Sequence, residues 1–246
     1  MAERISILGD SISTLNGFSN NIIDSNYPGN YYPHSGNNVT NFNQTWWGDA
    51  INQLGGTIIS NDSIGGTCVG YYSTNNYDSL HLGSKWCMDK QLRVSDLGQT
   101  NPNSTLSPTR IFFFGGTNDL CQNYTNPIDI SNYGNYNNVT FKTHYLHTLQ
   151  LIYNTYNYNP IVMCITPFKS PLTKQGNDNY TKFNDMCFHI ADCVNYFRSF
   201  GYDCKLVSLQ DIELTVSAGQ LDASYHPTAS GMHIIADRVA YVCQNS

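Results

Sequence analysis

Charge is scarce in this chain. Only 12% of its 246 residues are Asp, Glu, Lys or Arg, and the net charge is −6. The twelve Lys+Arg form no basic run, which argues against a nucleic-acid partner, because phosphate neutralisation needs clustered cations. Long hydrophobic runs are missing too. Nothing approaches the roughly eighteen uninterrupted apolar residues of a membrane span. Met1-Ala2-Glu3-Arg4 runs straight into a strand-like stretch, so no secretory leader is expected. The expected setting is therefore intracellular or virion-associated, and extracellular only if a leader has been removed. The eight cysteines form no Cys-x-x-Cys pair and show no metal-ligand spacing. No metal site is expected, and buried thiols are the expected state.

What the chain has in place of charge is Asn and Tyr, as in the run Tyr153-Asn154-Thr155-Tyr156-Asn157-Tyr158-Asn159. Such residues coat a surface without charge and also suit contacts with carbohydrate. A bias in the nucleotide composition of the gene explains them equally. Length and 40% hydrophobic content are ample for one buried core.

Short apolar runs alternate with helical periodicity, the pattern of a doubly wound parallel sheet. Strands are predicted at Arg4–Leu8, Thr57–Ser60, Arg110–Phe114, Ile161–Ile165 and Lys205–Leu209. The third is apolar throughout, as befits a central strand covered on both faces. Helical spacing marks Trp46–Leu54, closed by Gly55-Gly56, and also Phe141–Tyr156, Asn179–Phe200 and Ala229–Cys243. Helical character is also expected around Met88–Leu97. The polar segment 12–44 is long enough for a functional loop. No repeat or linker divides the chain, so a single domain spanning 1–246 is expected.

In such folds ligands sit beyond the carboxyl ends of the strands. Gly9-Asp10-Ser11 follows the first strand, Gly65-Gly66 the second, Gly116-Thr117-Asn118-Asp119 the third, and Asp222-Ala223-Ser224-Tyr225-His226 the fifth. Singly, each reads as a turn or a cap. Together they supply what acyl transfer needs. Ser11 offers a hydroxyl and His226 a base near neutral pKa. The Ser11 and Gly66 backbone N–H groups, with the Asn118 amide, can face a developing oxyanion. His144 and His147, three residues apart on a predicted helix, are expected on a solvated face, and Asp119 is expected to be structural.

This constellation resembles the SGNH hydrolases, or GDSL-type esterases, whose four blocks supply Ser, Gly, Asn and His. Ile12-Ser13-Thr14 and Thr45-Trp46-Trp47 add to the likeness. The resemblance implies a flavodoxin-like three-layer α/β/α sandwich with a five-stranded parallel sheet, and a serine esterase that uses no cofactor or metal. The implied site comprises Ser11, His226 and Asp222, with an oxyanion hole of Ser11, Gly66 and Asn118. One departure stands out. The family spaces its last block Asp-x-x-His, whereas here Asp222 lies four residues before His226. Either a one-residue bulge carries Asp222 onto the imidazole, or a backbone carbonyl holds a Ser-His dyad.

Tyr27, Tyr31, Tyr32 and His34 lie in the 12–44 segment whose start adjoins Ser11. Aromatic faces and amides suit a sugar, whereas an acyl-chain tunnel calls for a greasy loop. Tyr31, Tyr32 and Trp47 are the expected substrate contacts, and a carbohydrate O-acetylesterase acting on a small ester or acetylated glycan is the favoured reading. A lipase- or thioesterase-like hydrolase of longer chains is one alternative. A non-catalytic glycan-binding or virion protein on the same fold is another. The sequence sets no oligomeric state.

Overall fold

A computed structural model of the chain describes residues 2–19, 30–70, 87–89, 91–101, 104–121, 141–157, 159–174 and 180–245. Tyr27, with the rest of 20–29, and Asn179 lie outside these residues. Five strands, β1 (Arg4–Gly9), β2 (Thr57–Ser63), β5 (Arg110–Phe114), β6 (Ile161–Ile165) and β7 (Cys204–Val207), form one sheet in the order β2-β1-β5-β6-β7. Every pairing in it is parallel. Two short strands, β3 (Gln99–Asn101) and β4 (Ser104–Thr105), pair separately and antiparallel.

Residue alternation along the strands divides the core into two layers. Ile5, Ile7, Phe112, Phe114, Met163 and Ile165 face α1 (Trp46–Leu54) and α6 (Ala229–Gln244). Leu8, Ile111, Phe113, Val162 and Cys164 face α2 (Gln91–Asp96), α4 (Phe141–Thr155) and α5 (Thr181–Ser199). The short α3 (Thr117–Cys121) follows β5. The sandwich is thus α/β/α with a five-stranded parallel sheet, as the sequence suggests. The strand order reverses between β1 and β5, which opens a crevice at their carboxyl ends.

The main boundary difference is β2, which continues through Asn61, Asp62 and Ser63, three residues past the predicted end. Most of the polar side chains on this strand have partners inside, although the buried Ser63 hydroxyl has none. Ser60 Oγ donates to Asp96 O at 2.9 Å, Asn61 Nδ2 donates to Ser13 O at 2.8 Å, and Asp62 pairs with the wholly buried Arg93. The Tyr/Asn run at 153–157 also differs from a surface coat. Tyr153 and Tyr156 are buried, Tyr153 stacks on Tyr202 and Phe197, and the Tyr156 hydroxyl donates to Val94 O at 2.7 Å. Cys68, Cys87, Cys164, Cys187, Cys193, Cys204 and Cys243 are all buried. Among the described residues, no helix is long and apolar enough to cross a membrane.

Candidate active site

Gly9 ends β1 with no room for a side chain. A Cβ there would lie 2.6 Å from Ser13 Oγ and 2.9 Å from Ser63 Oγ. The chain turns at once into a single 3-10 turn, Ser11–Ser13, capped by the Asp10 carboxylate, which accepts from Ile12 N at 3.0 Å. Three donors hold this turn from below. Trp46 Nε1 reaches Ser13 Oγ at 3.2 Å, while Trp47 Nε1 and Asn61 Nδ2 reach Ser13 O at 2.9 and 2.8 Å. Ser11 is thereby presented, half-exposed, at the carboxyl edge of the sheet.

His226 Nε2 lies 3.0 Å from Ser11 Oγ, across 215 residues of chain. Its other nitrogen, Nδ1, faces Ser224 O at 3.3 Å and Ser224 Oγ at 3.5 Å. A carbonyl can only accept, so it favours the tautomer with the proton on Nδ1 and a lone pair on Nε2 toward the serine. Burial lowers the imidazole's pKa, which the Asp222 charge and the Ser224 carbonyl partly offset. The ring is therefore neutral and able to take a proton near pH 7.

Asp222 is close by but not on the imidazole. Its Oδ1 accepts from Ser224 N, Ser224 Oγ and His226 N at 2.9, 2.7 and 3.0 Å. Its Oδ2 accepts from the Tyr31 hydroxyl at 2.8 Å and Asn37 Nδ2 at 2.7 Å. Burial alone raises this carboxyl's pKa, but these hydrogen bonds outweigh burial and hold it at about 2. The extra residue of the block is absorbed in a tight turn. Asp222 N donates to His226 O at 2.9 Å, and Tyr225 takes the left-handed region at φ 65°. Of the two arrangements open from sequence, the carboxylate–imidazole contact is absent and the backbone carbonyl takes its place.

The two remaining blocks meet across the crevice. Ile64 N donates to Gly9 O at 3.2 Å, tying the loop after β2 to the end of β1. Gly66 sits at φ 76°, a conformation that favours glycine. Asn118 Nδ2 donates one hydrogen to Thr67 O at 2.9 Å and has a second to offer. Among the described residues, no acceptor takes the Ser11 or Gly66 backbone N–H. Asp119 accepts from Val69 N at 2.9 Å and Gly70 N at 3.4 Å, so it anchors the same loop from below. Burial pushes its carboxyl up to about 6.

Two of the three expected substrate contacts are buried. Trp47 is fully buried with its indole on Ser13. Tyr32 is 1% exposed, and its hydroxyl donates to Pro227 O at 2.9 Å. Neither offers a surface to substrate, because each fills the core beneath the site. Tyr31 is half-buried and lies flat on His226, with centroids 3.6 Å apart and planes 9° apart. His144 is not on a solvated face either. Its Nδ1 is 2.5 Å from the buried Asp89 carboxylate, with His147 3.8 Å from the same oxygen. Among the described residues, no group of three or more His, Cys, Asp or Glu is placed to hold a metal. Sequence reading assigned no role to Asn37 or Asn61. Asn61, close behind the apolar Ile58-Ile59 of β2, carried the clue of a buried donor that needs a partner.

The fold has known counterparts. A Bacteroides ovatus protein described as a GDSL-like lipase is 22% identical and superposes with a TM-score of 0.66, over 100% of both chains. Its Bacteroides uniformis counterpart is also 22% identical, at a TM-score of 0.65 over 100% of this chain and 97% of that one. A family 3 carbohydrate esterase from Clostridium thermocellum, 12% identical, reaches 0.60 over 100% of this chain and 96% of its own. No curated relative matches the chain. The model of the GDSL-like lipase/acylhydrolase family matches residues 3–243, nearly the span over which the strand-edge blocks are distributed. The chain belongs to that family.

Proposed function

We propose that this protein is a serine ester hydrolase acting on small acyl groups, with O-acetylated carbohydrate as its substrate. The observation that carries the reading is the 3.0 Å approach of His226 Nε2 to Ser11 Oγ at the carboxyl end of β1. His226 takes the hydroxyl proton as Ser11 Oγ bonds to the ester carbon. The Ser11 and Gly66 N–H groups and the Asn118 amide donate to the oxyanion. The tetrahedral centre then collapses, the alcohol C–O bond breaks, and His226 returns its proton to the departing alcohol. Water enters along the same path, losing a proton to His226, and releases the acid from Ser11. These steps need no cofactor or metal.

A small acyl group and a polar alcohol suit the rim of the site. His34 and Ser224 are exposed there and Asn118 half-exposed. Among the described residues, no exposed Val, Leu, Ile or Met falls within 30–38, 64–67, 117–119 or 222–227. The neighbouring carbohydrate esterase fold is consistent with this choice.

A fluorophosphonate is expected to label wild-type protein stoichiometrically and Ser11→Ala not at all, with mass spectrometry as the readout. Acetate release from a panel of acetylated glycans then identifies the alcohol. Faster turnover of octanoyl than acetyl model esters would overturn the acetylesterase reading. Absence of labelling would overturn the enzyme and favour a non-catalytic glycan binder. Asn118→Ala should lower kcat by about a hundredfold or more, the usual effect of losing one oxyanion donor.

A further inference from the structure

A triad carboxylate ordinarily orients the imidazole through Nδ1 and stabilises the imidazolium. In this chain Nδ1 meets the uncharged Ser224 carbonyl, and the carboxylate is turned into the loop. Another residue touches the base over its whole face. Tyr31 stacks on His226 with centroids 3.6 Å apart, and its hydroxyl donates to Asp222 Oδ2 at 2.8 Å while lying against Ser224 Oγ. Its backbone N–H donates to Thr14 Oγ1 at 2.7 Å, and that hydroxyl donates to Ser11 O at 2.9 Å. One residue is therefore linked to the nucleophile's turn, to the base and to the carboxylate.

We infer that Tyr31 is the positioning residue of the Ser11–His226 pair, standing in for the missing carboxylate–imidazole contact. The inference rests on the reading of Ser11 and His226 as nucleophile and base. Stacking fixes the plane of the imidazole, so that rotation about its side-chain bonds cannot carry Nε2 away from Ser11 Oγ. When the imidazole gains the serine proton, a cation lies over the face of a phenol, an attractive arrangement. Asp222 reaches the base through this phenol and through the turn. Burial, with Asp222 adding to it, pushes the phenol's own pKa up to about 12, so it remains a donor through the neutral range. The second face of Tyr31 stacks on the exposed His34, centroids 4.7 Å apart, which holds the phenol from outside.

The test compares Tyr31→Phe, Tyr31→Leu and Asp222→Asn, singly and combined, on a small acetyl ester. Tyr31→Phe keeps the stack and loses the tie to Asp222, so kcat should fall about threefold. Tyr31→Leu loses the stack as well, and kcat should fall about a further tenfold with KM changed less than about twofold. Asp222→Asn should cost less in the Tyr31→Phe background than in wild type, because one of its two routes to the base is already cut. The ring protons of His226, followed by NMR in the Ser11→Ala protein, should show the upfield shift of a stacked ring. That shift should persist with Tyr31→Phe and vanish with Tyr31→Leu. Unchanged kcat in Tyr31→Leu, or His226 resonances indifferent to it, would overturn the inference. A protein that takes no fluorophosphonate label would instead overturn the catalytic reading, while the NMR shift still decides whether Tyr31 orders His226.

Discussion

Asp10 directly precedes Ser11 and is 1% exposed. One carboxylate oxygen caps Ile12 N; the other is buried with no hydrogen-bond partner. Burial pushes its pKa up to about 7, and the neighbouring Asp119 charge adds to the shift. An unfolded Asp ionises near about 3.9. Between these values the folded protein holds a proton that the unfolded chain has released. Stability must therefore fall as pH rises from about 4 to about 7, and stay lower above. Asp10→Asn keeps the cap and removes the charge. Chemical denaturation at pH 5 and pH 8 should show wild type losing on the order of a few kcal/mol more than the variant across that interval. An equal loss in both would show that Asp10 ionises normally. At this scale the sequence was only partly legible. Ser11, Gly66 and Asn118 could be singled out because each closely follows a strand, and His226 because it lies between the last strand and the last helix; both positions follow from apolar runs. Tyr31, Tyr32 and Trp47 could not be given their roles. An aromatic ring near the nucleophile in sequence looks the same whether it meets substrate or packs against a histidine 195 residues away.

The helix α1 shows how an element places a reacting atom. Thr45 caps it, with Oγ1 accepting from Gly48 N at 3.0 Å, and Gly55 ends it at φ 62°. Those signals are local, and the predicted Trp46–Leu54 matches the helix found. What locality does not reveal is that two adjacent indoles, set about 100° apart around the helix, both turn their N–H groups onto Ser13. Trp46 also packs its rings on Phe112 and Phe114. Trp46→Phe preserves most of that packing but leaves the buried Ser13 hydroxyl without its indole donor. A loss of about 1–3 kcal/mol in thermal denaturation is expected. Trp47→Phe should cost less, because Asn61 still donates to Ser13 O. Polar extensions such as Asn61 and Asp62 on β2 escape periodicity for the same reason. Their burial depends on partners that only the assembled sheet supplies.

Across the whole molecule, low charge leaves few interactions for salt to act on. The pair with the deepest burial, Arg93–Asp62, has both side chains fully enclosed and is little screened. Arg238–Asp211 and His233–Asp49 are among the more exposed pairs and contribute little each. Calorimetry in dilute buffer and in about 0.5 M NaCl should give Tm values within about 3 °C. A larger fall would mean that exposed charge holds the fold together. The parallel order of the sheet was legible from alternating apolar runs, and the crevice between β1 and β5 follows from that order. The join between 31–38 and 222–229 was not, since it rests on individual long-range contacts, such as Ala229 N donating to Asn38 Oδ1 and Asn37 Nδ2 donating to Pro227 O. That join has a consequence for synthesis. A ribosome makes Ser11 some 215 residues before His226, and the tyrosine that steadies the histidine long before the turn it must meet. Throughout translation the nascent chain carries an idle hydroxyl. On the proposed reading it becomes a reagent only when the last strand, its following turn and the early tyrosine segment close on one another.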